Sequence, residues 1–174
     1  MTVRPARRNA VVALLLTALA FPLTASKLGK LSEAERVEYR VFAAFMTPQQ
    51  QRAWLKLKTT EERTEALKKL GLYDKFYGEQ PEMRDRIVAG DVALGWTRDE
   101  VYMAWGGPFQ KQRLTGRNAS RSELLVYRFE VDKDGYAVPV VGKKEDYKAV
   151  RRYQAELILD DDVVTSLQEK DGWE

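Results

Sequence analysis

The spacing of apolar residues changes once along this chain, and that change limits it to folds that combine helices with an antiparallel sheet. From Leu31 to about Ala89 the apolar positions recur at the helical period. Ser32 and Glu35 have the spacing of a capping box, in which each side chain satisfies a free backbone amide at a helix start. Val37, Val41, Ala44 and Phe45 follow at a 3.6-residue spacing. Thr47-Pro48 sets a cap ahead of a proline at the first helical position, so a second helix is expected there, with Ala53, Trp54 and Leu57 on its apolar face. Thr59 to Glu62 restart the pattern, with Ala66, Leu67 and Leu70 inward, and Gly71 ends it. Another short helix is expected from Pro81 to Ala89.

Beyond residue 120 the period falls to two. In Leu124–Val131, Val126, Arg128 and Glu130 face one way and Tyr127, Phe129 and Val131 the other. Asp132 to Gly135 then reads as a turn. Tyr153–Leu159 and Val163–Gln168 are two further strands, and the short Asp160-Asp161-Asp162 link makes them an antiparallel hairpin. The charged stretch from Gly142 to Arg152, with Lys143-Lys144 and Arg151-Arg152, is expected to be a solvated loop or short helix.

The first residues carry a different kind of signal. Arg4, Arg7 and Arg8 precede the apolar run Ala10–Ala20, which Pro22 breaks. That is the layout of a secretory signal peptide over 1–25, with cleavage expected after Ala25. The run is short for a permanent anchor, which needs about 20 apolar residues. Leu23-Thr24-Ala25-Ser26 resembles a bacterial lipobox, but Ser26 stands where the lipid-bearing cysteine would be. The chain has no cysteine, so neither thioether lipidation nor a disulfide can form. The expected location is therefore the periplasm or the periplasmic face of the outer membrane, with any membrane attachment through a partner or an uncleaved signal. Taking the three arginines from the 29 basic residues leaves 26, equal to the 26 acids. No net basic charge then remains to favour nucleic acid. The remaining 149 residues suit about one domain.

Between the two periods lies Gly95 to Pro108. Thr97 and Glu100 form a capping box; Val101, Ala104 and Trp105 make an apolar stripe. Gly106 is expected to be a left-handed stop, and Pro108 prevents continuation. The ungapped set Gly95, Thr97, Val101, Gly106 and Pro108, with Ile87 and Gly90 upstream, resembles the core of the SmpA/OmlA family, the BamE-like proteins of the bacterial outer membrane. The resemblance runs from about Ile87 to Gln168. It implies an α+β module at 87–170 that supports outer-membrane protein assembly or envelope integrity through envelope or outer-membrane protein partners. The family joins its lipid anchor to the module by a short tail, whereas here a helical segment at 31–86 intervenes. That segment is similar to the GWxTD exported proteins in Phe45-Met-Thr-Pro48, Trp54-Leu55 and Thr60-Glu-Glu-Arg63, with Gly95-Trp96 and Val101-Tyr102 beyond. It departs from their motif because Thr97 falls one residue early.

The chain has no histidine and no cysteine, so a Ser–His or Cys–His nucleophile cannot be built. Of the carboxylate groups, Asp160–Asp162 and Asp132/Asp134 fall where hairpin turns are expected, and a turn is the favoured reading over calcium binding or catalysis. Trp54, Trp105, Tyr127 and Phe129 lie at core spacing. Trp96 and Phe109 flank the junction helix at loop positions and are the candidates for a partner surface. The expected fold is α+β, a helical N-terminal part followed by helices packed on one face of a three-stranded antiparallel sheet. The expected function is non-catalytic, with no metal or cofactor. The alternative is a periplasmic inhibitor or binding module of the β-lactamase-inhibitor-like architecture.

Overall fold

The structure, a computed structural model, describes residues 28–140 and 149–173. The expected signal peptide and Lys143-Lys144 lie outside the described residues. The helices among those residues are α1 (Glu33–Ala43), α2 (Pro48–Trp54), α3 (Thr60–Lys69), α4 (Tyr73–Tyr77), α5 (Pro81–Ala89) and α6 (Arg98–Trp105). Four of them begin on reciprocal capping boxes, at Ser32/Glu35, Thr47/Gln50, Thr59/Glu62 and Thr97/Glu100. Each box occupies amides that a helix start would otherwise leave without partners. The buried stripe of α1 is turned by about one residue from the expected set. Val41 and Phe42 are fully buried, while Val37 and Phe45 only border the core. The short α4 carries no side-chain cap, and the sequence pattern does not show it.

The sheet has five strands, not three: β1 (Gln110–Leu114), β2 (Ser122–Val131), β3 (Ala137–Pro139), β4 (Arg151–Asp160) and β5 (Val163–Asp171). All pairings are antiparallel, in the order β1-β2-β4-β5. The same side of β2 holds β1 along Ser122–Val126 and β3 along Phe129–Val131. The two extra strands escape a periodicity reading for physical reasons. Four of the five β1 residues are exposed and polar, so no apolar alternation marks it. Only three residues form β3.

One face of the sheet carries Leu125, Tyr127 and Phe129 on β2 and Ala155, Leu157 and Leu159 on β4, all at most 1% exposed. The helices lie on this side. Their inward residues Phe42, Trp54, Leu67, Ile87 and Val101 belong to the same buried cluster as the sheet residues, so the core runs without a break from the helical segment into the module. The opposite face presents Leu124, Val126, Arg128 and Glu130 of β2, with Arg152, Gln154, Glu156 and Ile158 of β4 opposite them.

The junction helix α6 is fixed at both ends. Trp105 lies edge-on to Tyr127 and Phe129, with both centroid distances 5.1 Å. Its indole Nε1 donates to the Gly90 carbonyl at 2.9 Å, and the Tyr127 hydroxyl donates to the Gly106 carbonyl at 3.0 Å. Gly90 closes α5 in the left-handed conformation. Gly106 corrects the expectation of a left-handed stop. Its φ of 76° and ψ of −158° lie in a region that is essentially glycine's alone. The chain leaves α6 extended and feeds β1.

Candidate partner face and acidic junction

The acidic triplet forms a two-residue hairpin between β4 and β5. Asp161 and Asp162 both have positive φ, 47° and 68°, as a tight hairpin turn with the twist of its strands requires. Each of the three carboxylates has a separate set of donors. Asp160 accepts from Arg117 Nε at 2.8 Å, from Ser122 Oγ at 2.5 Å and from Thr165 Oγ1 at 2.7 Å. The Arg117 guanidinium, with the two hydroxyls, holds this carboxyl well below the usual range. Asp161 accepts from the backbone amides of Ser120 and Arg121 at 3.3 and 3.0 Å, closing the loop between β1 and β2. Asp162 accepts from Arg98 Nε at 2.7 Å, and its own carbonyl accepts from the Arg98 amide at 2.8 Å, which seats the start of α6.

Arg98 also pairs with Glu123, which is 5% exposed and receives Lys111 and Arg121 as well. Burial alone would raise the Glu123 carboxyl, but Arg121, Arg98 and Lys111 together bring it down to about 2. The triplet is thus a joint between two loops and a helix. It is a turn, as its sequence suggests, but one whose oxygens are engaged by protein donors. Among the described residues no cluster of three or more acidic, histidine or cysteine side chains is placed to hold a metal ion.

Two open concavities flank this joint. One, of about 560 Å³, is lined by Gly116, Arg117, Asn118, Ala119 and Asp160. The other, of about 440 Å³, lies between α4 and the start of α6, where Lys75 pairs with Asp99. Both are open to solvent and lined mainly by charged and polar residues, and neither brings together a nucleophile and a base.

Of the two candidate partner residues, Trp96 belongs to the core. It is 3% exposed, its ring lies under the Arg86 guanidinium at 5.0 Å, and its carbonyl accepts from the Val164 amide. Its large side chain fits because the segment before α6 runs against β5 rather than out into solvent. Phe109 is half-buried, and the Arg128 guanidinium lies 4.0 Å from its ring centroid. It stands at the rim of the sheet face turned away from the helices. Farther along the same face half-buried Leu124 and Ile158 lie opposite each other, Glu156 and Gln154 occupy the β4 positions from there to Arg128, and Lys170 pairs with Glu156 at 2.6 Å. Glu130, 1% exposed, pairs with Arg152 at 3.0 Å. Arg128 carries no signal of this role in the sequence, because only the pairing of β2 with its neighbours brings it over Phe109.

Trp54, Tyr127 and Phe129 are buried in the core, and Trp105 borders it. No described helix is long and apolar enough to cross a membrane. No family model, no curated protein and no solved structure matches this chain.

Proposed function

We propose that this chain is a non-catalytic exported protein of the cell envelope, supporting outer-membrane protein assembly or envelope integrity through protein contacts. The reading begins from the resemblance of Gly95, Thr97, Val101, Gly106 and Pro108 to the SmpA/OmlA core. The observation that carries it furthest is the division of labour between the faces of the sheet. The helices take one face, and the other offers Phe109 under Arg128, with half-buried Leu124 and Ile158 farther along it. An aromatic ring held by an arginine at the rim of a mixed surface is the kind of anchor on which binding energy concentrates. Any attachment to the membrane comes through a partner or an uncleaved signal, since no cysteine exists to carry lipid.

Affinity capture of the tagged chain from detergent-solubilised bacterial envelopes tests this reading. Outer-membrane proteins are expected in the eluate, and Phe109→Ala is expected to reduce their recovery about tenfold or more, the scale of an interface anchor. Recovery of no outer-membrane protein would sink the proposal. A soluble periplasmic enzyme held tightly by the chain, with its activity suppressed, would establish the inhibitor reading instead.

A further inference from the structure

The two edges of the sheet carry opposite charge. One edge is β1, whose residues Gln110 to Arg113 are all exposed. No backbone group among the described residues pairs with its outer side. The other edge is β5. The chain itself covers the start of that edge: the Gly95 amide donates to the Val164 carbonyl at 2.9 Å, the Val164 amide donates to the Trp96 carbonyl at 2.8 Å, and Thr97 bridges Val163. The chain then enters α6, and no described backbone group pairs with the outer side of β5 from Ser166 to Asp171. An unpaired edge is a template for another strand unless its side chains forbid the pairing.

Those side chains discriminate. Register with the inner strands places Lys111 and Arg113 on the helix-side face of β1. It places Glu169 and Asp171 on the same face of β5. All four are exposed, so the helical layer does not cover these positions of the two edge strands. A β1–β1 contact brings Lys111 and Arg113 against their own copies, and a β5–β5 contact does the same with Glu169 and Asp171. Like charges directly opposite across a strand pair are unfavourable, and unlike charges are favourable. Strand direction points the same way. Four antiparallel strands lie in the path β1-β2-β4-β5, so β1 and β5 run in opposite directions. A second copy in the same orientation therefore offers its β1 antiparallel to β5, with its helices on the same side.

We infer that the chain associates with copies of itself head to tail, β5 of one copy pairing antiparallel with β1 of the next. The register sets Arg113 opposite Glu169 and Lys111 opposite Asp171. Such a contact is heterologous, so each added copy presents a fresh edge and growth continues past a dimer. It spans about five residues, roughly 17 Å of strand, so it is short of the area that stable complexes bury and forms weakly.

Sedimentation equilibrium of the purified protein over a range of concentrations tests the inference. The weight-average mass is expected to rise past a dimer as concentration rises, and to rise less in 0.5 M salt, which screens exposed pairs. Arg113 and Glu169 are exposed and take part in no ion pair among the described residues. Arg113→Glu and Glu169→Arg are each expected to weaken association at least tenfold while leaving the circular dichroism unchanged. Mixing the two variants restores opposite charges across the contact and is expected to restore association. A protein that stays monomeric throughout, a dimer that grows no further, or association indifferent to both charge reversals would overturn the inference. The test requires no envelope partner, so its failure leaves the capture experiment standing.

Discussion

Glu123 shows how a single side chain can tie pH to the fold. It lies on the helix-side face of β2, where a lone carboxylate would be expensive to bury, yet three cations surround it. Its carboxyl sits at about 2 when folded, against an ordinary value of 4.5. A depressed carboxyl contributes stability above its unfolded value and loses it as pH falls toward its folded value. The expected outcome is a decline in stability between about pH 4.5 and pH 2. In urea titrations across that window, Glu123→Gln is expected to have a shallower slope than the parent protein. Asp160, also depressed, adds to the same decline, so the slope in the variant is reduced rather than abolished. An equal slope in both proteins would show that Arg98, Lys111 and Arg121 do not hold the carboxylate as described. None of this was legible in the sequence. Glu123 stands in no motif, and its partners come from 25 residues before it to two before it in the chain.

At the scale of elements, the capped helices were the most legible part. Ser32, Thr47, Thr59 and Thr97 announce helix starts through a local interaction three residues long, which survives in a one-dimensional reading. The edge strands were the least legible, because β1 is defined by the neighbour it pairs with and by nothing in Gln-Lys-Gln-Arg-Leu itself. The site divided in the same way. Phe109 lies near a surface that a partner can reach, whereas Trp96 does not, and the difference depends on long-range contacts with β5. The hairpin between β4 and β5 permits a direct test of its role. Asp161 holds a positive φ and receives two backbone amides. Asp161→Asn keeps an acceptor and tolerates the conformation, so a change within about 0.5 kcal/mol is expected. Asp161→Val strains a β-branched residue and leaves the two amides to solvent, for an expected loss of about 2 kcal/mol in chemical denaturation. Equal stability of the two variants would mean that the turn anchors nothing.

Across the whole molecule, the helical segment and the module share their core. Arg40 of α1 donates to the Val88 carbonyl at the end of α5 at 2.7 Å, Phe45 packs near Tyr102 with ring centroids 6.3 Å apart, and Lys75 pairs with Asp99. Buried residues from Leu28 to Val164 form one cluster. Domains that share a core unfold together, so a single cooperative transition is expected. Hydrogen exchange of α3 and of β4 is expected to reach the same global limit under denaturing conditions. Earlier release of α3 would show that the helical segment is a separate unit. The change of period after α6 therefore marks a change of secondary structure without marking a break in the core.

The clasp at Trp105 has a spectroscopic consequence. The chain has four tryptophans: Trp54 among the helices, Trp96 and Trp105 at the junction, and Trp173 just past the end of β5, about 5.9 Å from the Arg152 guanidinium. Trp54 and Trp96 are shielded from water, and the Trp105 indole is bonded to a backbone carbonyl. The intrinsic fluorescence thus samples the helical segment, the joint and the outer strand at once, without a label. Removing one indole at a time would resolve the emission of this single chain into reporters for three regions, the last of them beside the edge to which a second copy would add.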